Sequence, residues 1–248
     1  MSSTFIAFAL RTLLIAILIS SSLGCGGDRR NQKLLAAIDA GDSKTVDILL
    51  DDETFDLKST HDSGAQFLFH AMTAKNKAIY VKLLEKGASP DHCDSSGKCI
   101  MNQAAKEEDS YWLSQALAHG GNPDVLNTGN RHAPGWTPLF YAINERRVEN
   151  TKILITAGAN VNHRDSFGNA PLHELAGKTR YETIVALLEA GADPTQPNKH
   201  GHSFVDWFET REGETSEFLV RKKDEVPWYR KVREILIERG LISPESTK

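Results

Sequence analysis

Glycines recur at a fixed distance along this chain, and that period constrains the fold more than any other feature. Similar stretches open at Gly64, Gly97, Gly135, Gly168 and Gly201, at spacings of 33, 38, 33 and 33 residues. A second series, Gly87, Gly120, Gly158 and Gly191, closes helical stretches at spacings of 33, 38 and 33. Two landmarks share one period and one five-residue insertion, so the chain is a run of repeated supersecondary units. One such unit cannot bury its own apolar face and must stack on neighbours. The 248 residues would suit one or two ordinary domains, but an array can use them as one solenoid.

Residues 135–167 show the plan of a unit. Thr137 stands where a helix N-cap would accept a hydrogen bond, and Pro138 suits the first helical position, where no N–H is missed. Leu139, Ala142 and Ile143 mark one helical face. A second helix carries Val148, Ile153, Leu154 and Ile155 and stops at Gly158, which can take the left-handed conformation. Asp165-Ser166-Phe167-Gly168 then forms a turn with Asp first and Gly last.

Thr137-Pro138-Leu139, Ala170-Pro171-Leu172-His173, Gly158-Ala159-Asn160-Val161-Asn162 and Gly191-Ala192-Asp193-Pro194 resemble the ankyrin repeat. The resemblance spans residues 32–240 and is strongest over 135–200. It implies an all-α repeat solenoid, a stack of antiparallel helix pairs joined by short β-hairpin loops. Six units result, over 32–63, 64–96, 97–134, 135–167, 168–200 and 201–240, with a tail at 241–248. Both ends depart from the pattern. The first unit shows only a helix pair broken at Gly41-Asp42. The last inserts a charged stretch, residues 209–227, before a helix whose Val232, Ile235 and Leu236 face the stack.

The N-terminus is a separate object. Residues 4–10 and 12–19 are mainly apolar, split by Arg11, and end in Ser20-Ser21-Ser22. That is too short for a bilayer-spanning helix of about 20 apolar residues, and the layout is that of a secretory signal. Ser22-Leu23-Gly24-Cys25-Gly26-Gly27 resembles a bacterial lipoprotein signal, in which the Cys is lipidated and becomes the new first residue. The signal family favours Leu three places before the Cys, where this chain has Ser22. Residues 1–24 are then a signal peptide and 25–31 a lipidated Cys25 with a short tether. Ordinary cleavage or an uncleaved anchor are the alternatives. Gly26 rather than Asp after the Cys favours, by the same resemblance, the outer membrane of a bacterial envelope, facing the periplasm.

Export implies an oxidising compartment. With Cys25 lipidated, Cys93 and Cys99 remain as a pair flanking Asp94-Ser95-Ser96-Gly97. A hairpin there can bring the sulfurs together as a disulfide; two small half-buried thiols are the alternative. Metal binding by His92, Cys93 and Cys99 matches no usual zinc spacing.

Catalytic signatures are missing. There is no phosphate-cradling Gly-Lys-Ser/Thr loop, no Gly-x-Ser-x-Gly elbow and no His-Glu-x-x-His. His173 is structural by the resemblance, bonding backbone groups between repeats. His61, His70, His92 and His163 are expected as solvent-exposed spacers. A net charge of −4 with dispersed Lys and Arg argues against nucleic acid. The chain is therefore expected to be no enzyme, with no cofactor, metal or small-molecule substrate. It is expected to bind another protein while held to a membrane by its N-terminal lipid. An envelope immunity or inhibitor protein, or an accessory protein with an unrecognised enzymatic site, are the alternatives.

The resemblance places partner contacts beside each hairpin Gly and at the first-helix ends. Here these are Ser95, Ser96 and Lys98; Trp136, Asn144 and Glu145; Phe167, Asn169 and Lys178; and Lys199, His200 and His202. Phe140, Tyr141, Trp207 and Phe208 are expected in the core, whereas Trp136 and Phe167 are candidate exposed anchors, with packing against a neighbouring hairpin as the alternative. The insertion, residues 127–134, lacks a large apolar side chain. It is expected to be dispensable for folding and to bring Arg131 and His132 to the binding face.

Overall fold

The computed structural model describes residues 26–52, 57, 64–93, 99–127, 135–176, 178, 180–212 and 226–244. The chain divides into two compact units, Met1–Phe55 and Asp56–Lys248.

The first unit contributes helices α1 (Gly26–Ala40) and α2 (Ser43–Leu50), which pack on one another. Leu34, Ile38 and Val46 are buried. Asp42 caps α2: its carboxylate accepts from the Thr45 N–H at 3.1 Å and from the Thr45 hydroxyl at 2.6 Å. Helix α1 begins earlier than the sequence suggests. Residues 26–31, expected as a tether, belong to it. The helix runs on through Gly26-Gly27 although each glycine costs a helix about 1 kcal/mol relative to alanine.

The second unit is a stack of five helix pairs: α3 (Ala65–Thr73) with α4 (Lys77–Glu85), α5 (Ile100–Lys106) with α6 (Tyr111–Ala118), α7 (Pro138–Asn144) with α8 (Val148–Thr156), α9 (Pro171–Leu175) with α10 (Tyr181–Glu189), and α11 (Phe204–Glu212) with α12 (Val226–Glu238). First helices pack on first helices, α3 on α5, α5 on α7 and α7 on α9. Second helices do likewise, α4 on α6, α8 on α10 and α10 on α12. The core is the seam between these rows. All of Pro138 to Ile143 is buried on α7, and Ile184, Leu187 and Leu188 are buried on α10. Tyr80 and Trp112 meet edge to face at 5.1 Å in the α4–α6 layer. At the far end Tyr229, Val232, Ile235 and Leu236 of α12 close the stack. The helix starts at Val226, two residues before Trp228. Residues 213–225 of the charged stretch and 245–248 of the tail lie outside the described residues.

Local chemistry sets the helix boundaries. Pro138 and Pro171 occupy first-turn positions. Gly191 (φ 90°) lets the chain turn back after α10, so that the Ala192 N–H reaches the Leu187 carbonyl at 2.9 Å. Thr137 behaves differently from expectation. It is the N-cap of α7 and fully buried, but its hydroxyl makes no hydrogen bond. The Phe140 N–H bonds the Thr137 carbonyl instead, at 3.1 Å. One repeat later His173 does the capping, its Nδ1 accepting from the Ala170 N–H at 2.9 Å. Nε2 therefore carries the proton and donates to the His202 carbonyl of the next repeat at 3.1 Å. His173 is thus structural, as the resemblance implies.

Two polar systems tie successive repeats of the second unit together. The first is a ladder of side-chain amides and carboxylates after the second helices. Asp91 accepts from the Asn122 N–H at 2.7 Å, Asp124 from the Asn160 N–H at 2.9 Å, and Asn162 from the Asp193 N–H at 2.8 Å. Within each loop the first residue holds the second: Asn122 accepts from the Asp124 N–H at 2.9 Å and Asn160 from the Asn162 N–H at 3.0 Å. The Thr195 hydroxyl and N–H hold the Asp193 carboxyl below the usual carboxylate range.

The second system caps helix C-termini from the following repeat. Arg147 Nε donates to the Lys106 carbonyl at 2.7 Å, and Arg180 to the Ile143 carbonyl. Arg239 donates to the Ala192 and Leu188 carbonyls at 3.1 and 2.6 Å. Asn150, 1% exposed, donates from Nδ2 towards the carbonyls of Ala104, Ala105 and Glu107 at 3.3, 3.0 and 2.8 Å. Carbonyls in the last turn of a helix run out of N–H partners along their own chain; the Ala104 carbonyl also accepts from the Glu107 N–H at 3.3 Å, but losing the Asn150 amide removes a buried donor from all three. Replacing Asn150→Ala is expected to cost about 2 kcal/mol and lower the melting temperature by roughly 4–8 °C. A circular-dichroism melt checks this, and an unchanged midpoint would show that water satisfies those carbonyls.

Candidate functional site

Five of the predicted contact residues, Phe167, Asn169, Lys199, His200 and His202, lie on two hairpin turns, each shaped by one polar side chain, Asp165 buried and Asn198 half-buried. Asp165 is 6% exposed, and its Oδ1 accepts from the N–H groups of Phe167 and Asn169 at 2.8 and 2.9 Å. Asn198 repeats the arrangement, accepting from the N–H groups of His200 and His202 at 2.9 and 3.2 Å. Asn198 Nδ2 also donates to Asn169 Oδ1 at 3.2 Å, coupling the two hairpins.

Asn127 holds the equivalent place before the insertion. Its N–H donates to the Trp136 carbonyl at 3.0 Å, its carbonyl accepts from the Gly135 N–H at 3.2 Å, and its amide bonds the Tyr141 hydroxyl. At 2% exposure Asn127 belongs to the frame of the fold. This corrects the expectation that the whole insertion is dispensable; polarity disguised a buried hairpin-closing residue. Residues 128–134, with Arg131 and His132, lie outside the described residues, as do Ser95, Ser96, Lys98 and Cys25.

The two aromatic candidates separate. Trp136 is half-buried. It stacks on Phe140 at 5.7 Å, meets Tyr141 edge to face at 5.3 Å and donates from Nε1 to Asp165 Oδ2 at 3.3 Å. It is therefore a packing residue between hairpins, not an open anchor. A large amphipathic ring beside a buried acceptor satisfies both its face and its N–H by folding inward. Phe167 is 52% exposed and stays open to solvent. His163, expected as a spacer, bonds the Gly135 carbonyl at 2.8 Å and meets Phe140 edge to face at 6.2 Å. Phe140, Tyr141 and Phe208 are core residues, whereas Trp207 is half-buried.

A groove of about 360 Å³ runs between the hairpins and the first helices. Asn169, His173, Asn198, His202, Asp206 and Trp207 line it. It unites two predicted residues, Asn169 and His202, with Asp206 and Trp207. Lys199, His200 and His202 are exposed. The Ser203 hydroxyl and N–H donate to Asp206, both at 2.7 Å, and hold its carboxyl below the usual range. Asn144 and Glu145 are exposed, but Glu145 lines a different, wider groove of about 720 Å³ with Lys75, Glu107, Trp112 and Arg147. Lys178 is half-buried and pairs with Glu174 at 3.4 Å.

Cys93 and Cys99 are joined by a disulfide, with Cα atoms 3.9 Å apart and an antiparallel bridge between them. Cys99 is the N-cap of α5, in the register of Thr137 and Ala170. Among the described residues no cluster of three or more His, Cys, Asp or Glu side chains is placed to hold a metal ion. No helix among them is long and apolar enough to cross a membrane.

The profile of ankyrin repeats (3 copies) matches residues 101–198. The chain carries ankyrin repeats. An ankyrin-repeat domain from Acinetobacter baumannii superposes with a TM-score of 0.66 at 24% identity, covering 84% of this chain and 97% of that one. The fold is thus an ankyrin-repeat solenoid. The human mitochondrial disaggregase is 29% identical over 213 residues, which is 83% of this chain and 28% of the human protein. Protein PhlB of Serratia liquefaciens is 29% identical over 153 residues, 62% of this chain and 64% of that protein. The chain spans less than two thirds of either relative.

Asn127 gives this site its structural test. Replacing Asn127→Ala is expected to lower the melting temperature clearly, because it removes a buried hydrogen bond. Removing residues 129–133 while keeping Asn127 is expected to leave it nearly unchanged, since a twofold change in loop length shifts closure by about 0.6 kcal/mol. Differential scanning calorimetry on the two variants separates these outcomes.

Proposed function

We propose that this ankyrin-repeat protein is a non-catalytic adaptor of a bacterial cell envelope, lipid-anchored at Cys25, which binds a protein partner across its hairpins and first helices. One observation carries the binding face: Phe167 is 52% exposed on a hairpin turn, two residues before Asn169, which lines a groove whose polar walls are already fixed by the fold. An exposed aromatic on a rigid rim is the usual anchor of a protein interface. Ankyrin repeats serve widely as protein-interaction modules, and the side chains lining the groove are occupied in structural bonds, His173 with both ring nitrogens and Asp206 with Ser203. A photo-crosslinking amino acid in place of Phe167 is expected to trap one discrete protein in cells, while the same group in place of exposed Glu149 on α8 traps none. Equal trapping at both positions would sink the assignment of the face.

The anchoring reading rests on the Gly24-Cys25 junction after a short apolar run. Helix α1 begins directly after Cys25. Six helical residues rise about 9 Å, against roughly 20 Å if extended, so the first unit would ride close to the bilayer. The variant Cys25→Ala is expected to move the protein from the membrane to the soluble envelope fraction. Retention after a salt wash would identify an uncleaved anchor instead.

A further inference from the structure

The hairpin tips carry two cations that the fold holds through neutral backbone carbonyls. Arg164 and Lys199 come from successive repeats and converge over Gly168. A Cβ built on that glycine would lie 3.0 Å from Lys199 Cγ and 3.2 Å from Arg164 Nη2. Both cations are exposed. Arg164 Nε donates to the Gly168 carbonyl at 3.1 Å and Nη2 to the Pro197 carbonyl, while Lys199 bonds the Ser166 carbonyl. Neutral carbonyls orient the two side chains without cancelling their charge. A guanidinium has five donors and an ammonium three, so both retain capacity for an anion.

The surrounding turns supply no exposed carboxylate. Over residues 163–169 and 196–203 the one acid is Asp165, which is 6% exposed and committed to backbone N–H groups and to Trp136. His200 and His202 are exposed on the same turns. In a chain of net charge −4 this is a local inversion of sign. Phe167, 52% exposed, shares its turn with Arg164, and the groove is lined by Asn169 and Asn198 of the same two turns, with Asp206 as its acidic lining residue.

We propose that the partner presents an extended acidic segment, with an Asp or Glu seated between Arg164 and Lys199 and an adjacent apolar side chain against Phe167. This rests on the protein-binding reading above and specifies its chemistry. Charge complementarity selects the acid, and Arg164 can receive a carboxylate through two parallel N–H donors. The exposed ring selects a neighbouring apolar residue, which a free phosphate lacks. The groove is concave and carries Asp206, so the segment turns its acids towards the tips and its neutral or donor groups inward.

The test is selection of random displayed peptides on the full chain, followed by titration of the enriched peptide against variants. Lys199→Glu and Phe167→Ala alter exposed side chains outside the core, and a melt confirms that each is folded. The expected result is an enriched pattern of Asp or Glu beside an aromatic or aliphatic residue. Its affinity falls about tenfold or more in each variant and weakens as salt is raised. Enriched peptides that are neutral or basic, yet depend on Phe167, overturn the acidic partner while leaving the interaction face standing. Peptides whose binding ignores both substitutions, or no enrichment at all, overturn both. Binding of the Cys25→Ala protein to phosphatidylglycerol vesicles that Lys199→Glu abolishes, with no acidic peptide enriched, assigns the cations to a lipid surface and overturns the proposal.

Discussion

Polar links in which one repeat bonds backbone groups of its neighbour set how the repeats of this stack meet. The carbonyls ending α5 are met by Asn150 and Arg147 from the next repeat. Those ending α7 are met by Arg180, and those ending α10 by Arg239. On the loop side Asp91, Asp124 and Asn162 each reach one repeat forward to a backbone N–H. Apolar burial supplies most of the favourable free energy of such an array and is indifferent to register. The polar links are directional, so they fix which residue of one repeat meets which residue of the next.

That fixed register is what would let the proposed binding face work. Asp165 and Asn198 hold successive hairpins through their own backbone, and Asn198 joins the two through Asn169. The tips are therefore rigid platforms, and Phe167, Arg164 and Lys199 project from settled turns. A partner ordering these side chains gives up less entropy than one ordering a loose loop. Surface ion pairs between repeats, such as Lys75–Glu107 at 2.8 Å and Lys152–Glu182 at 2.8 Å, add little by comparison because water screens them.

Much of the site was legible in the sequence because a repeat gives each residue a known register. The places of Phe167, Lys199, His200 and His202 follow from their distance to a hairpin glycine. Arg164 was missed, although it directly precedes the turn-forming Asp165. Its importance comes from convergence with Lys199, a residue 35 positions away. Trp136 and Phe167 have matching sequence neighbourhoods, so the sequence left both open between anchor and packing residue, and the structure separates them. Asp165 takes the Trp136 indole N–H, and Phe140 and Tyr141 pack against its ring. Asn127 was misjudged, since a polar residue in an insertion gives no local sign of burial.

The sequence by itself determined the period, the helix pairs, the proline starts and glycine stops, and so the repeat architecture. These follow from local backbone preferences and from the spacing of apolar residues, both properties of short windows. It also marked Cys93 and Cys99 as a pair, without deciding between disulfide and free thiols. Tertiary structure alone decided what depends on two distant segments meeting. It turned Trp136 and His163 inward while leaving Phe167 out, seated the Asn127 amide on the Tyr141 hydroxyl and made Asn150 a ligand of backbone carbonyls in the preceding repeat. A side chain's exposure is set by what the next repeat places beside it, and no window shorter than one period contains that neighbour.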